Sequence, residues 1–185
     1  NVNANLNYSY TGKAGKSLQV NADHGWYDIN SNQLQPNYYY DATGKTLINS
    51  VVYRMIAPTT ININSVKADW EQPFKKGTLG FGGKYANVKT DNDFQRYNIN
   101  SGLESIDKDR SNLFTYKENI GAAYVNYSRA LKGITLQAGV RMEHTNAKGI
   151  STGQKIVAGN YTAYSETFNR SYTDFFPSAS ISFTK

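Results

Sequence analysis

The sequence predicts an all-β protein built as an antiparallel up-and-down meander, and three observations support this. Apolar and polar residues alternate along several stretches, most regularly in residues 134–143. The composition, with 15 Tyr, 8 Phe and 15 Gly against 4 Pro, suits pleated strands and their turns. The connections between the alternating stretches are short and long in turn, which is typical of transmembrane barrels.

Residues 134–143 predict a strand with one apolar and one polar face, because strand side chains point to opposite faces with a period of two. The apolar positions are Ile134, Leu136, Ala138, Val140 and Met142. Residues 120–128 precede this strand through the short polar link 129–133. The pair is therefore predicted to be a β-hairpin.

The N-terminal part predicts a second hairpin, in which the alternating residues 2–10 and 18–26 are joined by the turn 11–16. The letters TGKAGKS at residues 11–17 imitate a phosphate-binding loop. Strand-like sequence follows them, where such a loop needs a helix. A hairpin turn is the better interpretation.

Three more strands complete the meander, which brings the total to about seven. Residues 61–70 and 79–85 flank the short turn 72–77, and residues 178–184 form the last strand. The apolar phase slips by one between Ile63 and Val66, which predicts a β-bulge or the start of a strand at that point.

Three long segments separate the hairpins and are predicted to be irregular loops: residues 28–60, 89–113 and 146–172. Such long loops are uncommon in compact soluble domains. Short turns at one end and long loops at the other predict a partial transmembrane β-barrel. No run approaches 18 apolar residues, so a transmembrane helix is not predicted.

Both ends of the chain run through strand-like sequence. Residues 1–185 are therefore expected to be a single partial β-barrel segment, excised from or part of a longer chain.

Composition argues against several other classes of protein. The chain has no Cys, and its net charge of +6 comes from scattered Lys and Arg, so neither a Cys-based metal site nor nucleic-acid binding is predicted. The acidic residues between Asp91 and Asp109 lack the spacing of a calcium loop. No catalytic grouping is present, and we expect no enzyme, no metal and no cofactor.

Six charged or polar residues are candidates for a ligand-binding wall. Lys67, Asp69 and Glu71 share one strand face, and Gln137, Arg141 and Glu143 share another. An Arg facing lipid at mid-bilayer would cost about 2–4 kcal/mol, so these faces are predicted to line the lumen. Contact with a solute or a plug is one interpretation, and a structural lattice of ion pairs is the other.

Two histidines and three consecutive tyrosines are predicted to lie at the membrane interface. His24 and His144 continue apolar phases near strand ends, without the clustered partners of a metal site. Tyr38, Tyr39 and Tyr40 could stack on a ligand, but an interfacial aromatic belt is favoured.

Several segments resemble the outer-membrane barrel region of TonB-dependent-receptor-like proteins of Bacteroidetes. The resemblance rests on AAYVNYS (122–128), LQAGVRMEHT (136–145) and YTDFFPS (172–178), with residues 10–28 and 66–93 fitting the same pattern. It implies a location in the bacterial outer membrane and a role in energised uptake of a nutrient or chelate.

The partners implied by the resemblance are outer-membrane lipid, the rest of the barrel and its plug domain, with TonB reached through regions outside this sequence. The open strand edges of the isolated piece independently predict that it self-associates.

Two alternatives remain open at this stage. One is a soluble β-sandwich or small barrel that acts as a binding or adhesion module, with its apolar faces in a closed core. The other is a membrane barrel that serves assembly or surface attachment and has no transport role.

Overall fold

A computed structural model of the protein, which describes residues 1–183, shows ten strands in one antiparallel sheet. Two short 3-10 turns interrupt the connections, at Lys13–Gly15 and Lys108–Arg110. Among the described residues, no helix has the length and apolar character needed to cross a membrane. The strands are β1 Val2–Thr11, β2 Ser17–Ile29, β3 Asn32–Tyr40, β4 Leu47–Ile56, β5 Thr59–Phe74, β6 Gly77–Asn100, β7 Leu103–Ile106, β8 Asn112–Leu131, β9 Ile134–Val157 and β10 Asn160–Phe183.

The predicted fold class is confirmed. The main path of the sheet is β1-β2-β5-β6-β8-β9-β10, and its seven strands correspond to the seven that the sequence predicts. Three additional strands lie off this path: β3 pairs with β4, β4 also pairs with β6, and β7 pairs with β6. The strand predicted at residues 178–184 ends, as far as it is described, at Phe183, and Thr184 lies outside the described residues.

The segment 28–60, predicted to be an irregular loop, is instead the outer half of a long hairpin. The Ala57 N–H donates to the Ser31 carbonyl at 2.9 Å, and the Asp93 N–H donates to the Pro58 carbonyl at 3.0 Å. These bonds continue the backbone pairing through residues 30–31, between β2 and β3, and through residues 57–58, between β4 and β5. The hairpin closes at residues 41–46, where the Asp41 N–H donates to the Thr46 carbonyl at 2.9 Å.

The other two predicted loops are also largely strand. A turn at Ser101 (φ 51°) and Gly102 (φ 80°) reverses the chain from β6 to β7, and one at Ala158 (φ 49°) and Gly159 (φ 81°) joins β9 to β10. Positive φ at both central residues gives a turn the twist that hairpin strands need. The prediction of long loops is therefore wrong, because a strand whose two faces meet the same surroundings does not have to alternate in hydropathy.

The predicted β-bulge near Ile63 is also absent. From Thr59 to Glu71, β5 keeps an unbroken register with β6, and from Thr59 on it does so with β2 as well. The apolar residues change face instead. Ile61 and Ile63 lie on one side of the sheet, while Val66, Ala68 and Trp70 lie on the other.

The sheet is a single layer with almost no interior. Ala147, at 8% exposure, is the one apolar side chain buried among residues 1–183, whereas Phe175 and Ile181 are 65% and 63% exposed. A soluble β-sandwich needs a second layer to cover such side chains. That alternative is wrong for this chain, whose described residues form one open sheet with β1 and β10 as its edges.

Candidate functional site

Cross-strand pairing collects the large apolar side chains on one side of the sheet, here called the apolar face. The apolar positions predicted within residues 134–143 lie on it, where Ile134 pairs with Phe183 and Leu136 pairs with Ile181. A central row crosses all seven strands of the main path: Tyr10, Leu18, Trp70, Phe81, Val125, Val140 and Pro177.

Polar residues replace the apolar ones toward the outer end of the same face, the end opposite the short turns. One row is largely asparagine: His24, Asn64, Asn87, Asn119, Asn146 and Ser171. His144 lies one row nearer the apolar residues, beside Thr173. Both histidines therefore lie at the boundary between apolar and polar rows, and their place at a membrane interface stays a prediction.

The opposite side of the sheet, the polar face, carries the predicted wall residues. Register places Asp69, Gly82, Tyr124 and Arg141 in one row across four adjacent strands. Lys67 and Glu143 lie in the next row. The prediction that these charged residues face away from the apolar side chains agrees with this placement.

Five of these side chains form a contiguous polar-face cluster: Lys67, Asp69, Tyr124, Arg141 and Glu143. Lys67 Nζ lies 2.8 Å from Asp69 Oδ2, and the Tyr124 hydroxyl donates to Asp69 Oδ1. The Arg141 guanidinium lies 5.3 Å from the centre of the Tyr124 ring, within the range of a cation–π contact, and its Nε donates to Glu143. Tyr124 thus joins two ion pairs contributed by different hairpins.

Gly82 makes room for this arrangement. A Cβ atom at position 82 would lie 2.5 Å from the Ala68 carbonyl oxygen and 2.7 Å from the Tyr124 hydroxyl. Glycine within a strand commonly marks such a close approach. The Tyr124 side chain therefore lies across the bare backbone of β6 and reaches Asp69 on β5.

The structure brings together four of the six predicted site residues: Lys67, Asp69, Arg141 and Glu143. Glu71 and Gln137 share the polar face but lie nearer the short turns. Glu71 is opposite Ser17 and Gly80, and Gln137 is opposite Ser128 and Ser180.

Sequence reasoning missed Tyr124, the centre of the cluster. Both faces of β8 are mixed in polarity, so alternation does not reveal which way Tyr124 points. The hairpin register does reveal it: Leu131 pairs with Ile134 across two residues, which sets Tyr124 opposite Arg141. A two-residue turn at Lys132 and Gly133 was the available signal.

The interfacial position predicted for Tyr38, Tyr39 and Tyr40 is wrong. Tyr39 pairs with Asn49 beside the turn 41–46, at the end of the long hairpin farthest from the apolar rows. All three side chains are more than half exposed.

No group of three or more His, Cys, Asp or Glu side chains that could hold a metal occurs among residues 1–183. The chemistry available to the polar-face cluster is charge and hydrogen bonding.

The sequence profile of the outer membrane protein beta-barrel family matches residues 10–185, so this chain belongs to that family. It is a bacterial outer-membrane protein, as the sequence predicted. No curated protein sequence matches the chain.

Two solved structures share the fold. The ferric yersiniabactin uptake receptor FyuA from Yersinia pestis superposes with a TM-score of 0.61 at 13% identity, over 96% of this chain and 25% of the receptor. The unliganded ferric citrate transporter FecA gives 0.60 at 13% identity, over 98% of this chain and 24% of the transporter. The chain therefore spans about a quarter of either protein. The resemblance to the barrel of TonB-dependent-receptor-like proteins is confirmed at the level of the fold, and the Bacteroidetes origin stays a prediction.

Proposed function

We propose that this chain forms one side of an outer-membrane barrel that takes up a nutrient or chelate, with the polar-face cluster lining the lumen. One observation carries the proposal: the same strands present exposed apolar rows on one face and an interlinked charged cluster on the other.

The cost of burying charge in lipid supports this orientation. An Arg or Lys on the lipid side at mid-bilayer costs about 2–4 kcal/mol, whereas a barrel lumen is polar. Arg141 lies between the levels of Val140 and Met142, and Lys67 lies in the next row of the polar face, just beyond Met142. A barrel wall with its polar face toward the lumen and its apolar face toward lipid suits both sets of side chains.

The open edges support a barrel larger than the described sheet. β1 and β10 each pair on one side only within residues 1–183, and an unpaired edge in a bilayer is costly. Further strands of the same barrel would satisfy both edges. A plug domain and a contact with TonB follow from the resemblance and form part of the proposal.

Within the lumen, we assign two roles to the cluster. The Lys67–Asp69 and Arg141–Glu143 pairs tie neighbouring residues of one strand, and Tyr124 links β8 to β5. The pairs are 22–43% exposed, so their outer atoms remain free to bind a polar solute or a plug surface. No catalytic role is assigned.

Uptake of radiolabelled iron by cells tests the proposal, with ferric citrate and a ferric siderophore as the first probes. Cells lacking the gene should lose uptake of at least one of them. Asp69→Asn keeps the side-chain size but removes the charge, and we expect about tenfold weaker uptake per barrel, the effect of losing a charge-assisted hydrogen bond.

Glu71→Gln is the matched control, because Glu71 lies on the same strand and face outside the cluster. Barrel abundance is measured by immunoblotting of outer membranes. Equal uptake per barrel by Asp69→Asn and wild type would show that the cluster has only a structural role, as a lattice of ion pairs. If the gene deletion changes neither uptake nor binding of any chelate, the barrel has no transport role of this kind.

A further inference from the structure

Three lysines lie side by side on the apolar face, just beyond the asparagine row. Lys89 on β6 is directly opposite Lys117 on β8, which is directly opposite Lys148 on β9. Directly opposed residues have Cβ atoms about 4.5–5.5 Å apart, so like charges in these positions destabilise a sheet. The lysine row therefore has an electrostatic cost that a bound anion would offset.

Only one of the three lysines lies within ion-pair distance of a carboxylate among residues 1–183. Lys89 Nζ lies 2.6 Å from Asp91 Oδ2, and Thr115 also donates to Asp91. Within residues 1–183, no carboxylate lies within 4.0 Å of the ammonium group of Lys117 or Lys148. These two cations remain available to an external partner.

A groove runs beside the two uncompensated lysines. Its volume is about 390 Å³, and the lining residues on the apolar face offer ammonium, amide and hydroxyl groups: Lys117, Asn119, Asn146, Lys148, Asn169 and Ser171. Ammonium donors suit phosphate oxygens, and the amides and hydroxyl suit sugar hydroxyls.

With the apolar face toward lipid, as proposed above, the height of the lysine row in the membrane indicates which kind of anion it binds. Tyr85 lies in the last row that still contains several apolar residues, and Lys89 follows four residues further along β6. At about 3.3 Å per residue and a tilt of about 40°, the lysines lie roughly 10 Å above that row. That is the level of the lipid head groups, not of the hydrocarbon core.

We propose that the lysine row and its groove bind the phosphorylated sugar head group of a glycolipid in the outer leaflet. The acyl chains of the same lipid lie against the apolar rows below, where Met142 and Phe175 are 40% and 65% exposed. One ligand therefore satisfies the cations and covers the apolar side chains. This arrangement favours a lipid over free phosphate, which would cover only the cations.

Binding to the intact protein, purified from outer membranes in a zwitterionic detergent, tests the proposal. Native mass spectrometry measures the affinity for diphosphorylated lipid A and for the same lipid after enzymatic dephosphorylation. Each lysine near an anionic lipid surface contributes about fivefold in affinity, so Lys117→Gln with Lys148→Gln should bind the phosphorylated lipid about thirtyfold more weakly.

Two control proteins accompany this double variant. Lys75→Gln with Lys76→Gln removes two lysines from the short turn at the opposite end of the sheet and should bind as wild type does. Lys117→Arg with Lys148→Arg keeps both charges and should retain most of the affinity. Removing like charges relieves repulsion, so we expect the glutamine variant to fold.

Three results would overturn the proposal. One is equal affinity of wild type and the Lys117/Lys148 glutamine variant for the phosphorylated lipid. Another is equally tight binding of the dephosphorylated lipid by wild type. The third is complete displacement of the lipid by excess inorganic phosphate, which would mark the row as a free-anion site.

Discussion

The two halves of β9 differ in sequence pattern although their structure is the same. The whole strand Ile134–Val157 pairs with β10 in one unbroken register. Its inner half, residues 134–143, alternates regularly between apolar and polar side chains. Its outer half, residues 146–157, mixes Asn, Lys, Gly and Ser with isolated apolar residues on both faces.

This difference shows what alternation measures. In the proposed orientation one face of the inner half contacts lipid and the other contacts water, so selection for burial separates the two sets of side chains. In the same proposed orientation both faces of the outer half contact water, and the backbone hydrogen bonds hold the strand without such separation. Alternation records a contrast between two environments, and a strand without that contrast leaves little trace in hydropathy.

The largest expected effect comes from placing a charge on the same face in each half. Val140 and Ile156 are apolar residues of β9 on the apolar face, 43% and 54% exposed. Val140→Arg should lower the free energy of unfolding in lipid vesicles by about 2–4 kcal/mol. Ile156→Arg should change it by less than about 0.5 kcal/mol. Denaturant unfolding measures both, and equal losses would mean that the outer half also contacts lipid.

A second test compares two glycines of the polar face. Gly82→Ala should cost about 1–3 kcal/mol, because its Cβ would meet the Ala68 carbonyl, which is backbone and cannot swing away. For Gly149→Ala, in the outer half, the three atoms nearest to the new Cβ all belong to the Phe168 ring, which is 49% exposed and can rotate. We expect a cost below about 1 kcal/mol there.

The same unfolding measurement compares these two variants, with Gly121→Ala as the control because no atom lies within 4 Å of a Cβ at that position. A loss at Gly82 no larger than at Gly121 would contradict the close approach of Tyr124 to β6.

A third test asks whether the outer half can open alone. Gly159 has φ 81°, so Gly159→Val introduces a strain of about 1–3 kcal/mol into the turn between β9 and β10. Amide hydrogen exchange should then accelerate in residues 150–167. The amides of residues 134–143 should keep their protection. Faster exchange in both segments would show that the two halves open together.

The smallest effect is confined to the outermost turn. A hydrogen bond from the Thr43 hydroxyl, with further bonds from the Thr46 and Lys45 N–H groups, lowers the pKa of Asp41 from 3.8 to about 2. Its contribution to the turn is therefore complete above pH 3.8 and is lost as the pH falls through 2.

The carboxyl carbon chemical shift of Asp41 should titrate with a midpoint near pH 2, and Thr43→Ala should raise that midpoint. Signals from the apolar rows should not follow the same curve. A midpoint at the usual pKa of an aspartate would show that the turn hydrogen bonds do not form in solution.

The parts of the fold whose two faces differ in polarity were predictable from the sequence. The strands of the main path, the side of β9 on which Val140 lies, and the opposite side for Arg141 all follow from period-two alternation. The outer strands β3, β4 and β7 were missed, because their surroundings impose no such contrast. The remaining sequence signals were the dipeptides Ser101-Gly102 and Ala158-Gly159. Each predicts a reversal of the chain but not the length of the strands on either side.

The candidate site was predictable to a similar degree. The shared face of Lys67 and Asp69 is a local property of one strand, and so is that of Arg141 and Glu143. Their connection through Tyr124 depends on the pairing of three hairpins and on the space above Gly82. These are long-range properties that a pattern along one strand does not contain.

The long hairpin of β2–β3 with β4–β5 also bears on what is visible from outside the cell. From Ala22 to Tyr40 it extends for about 60 Å along the strand, so in the proposed orientation its tip stands well above the head groups. An epitope tag inserted between Thr43 and Gly44 interrupts no strand and faces the medium. Antibody labelling of living cells at this tip would follow the display of the barrel at the surface without disturbing either face of the membrane wall.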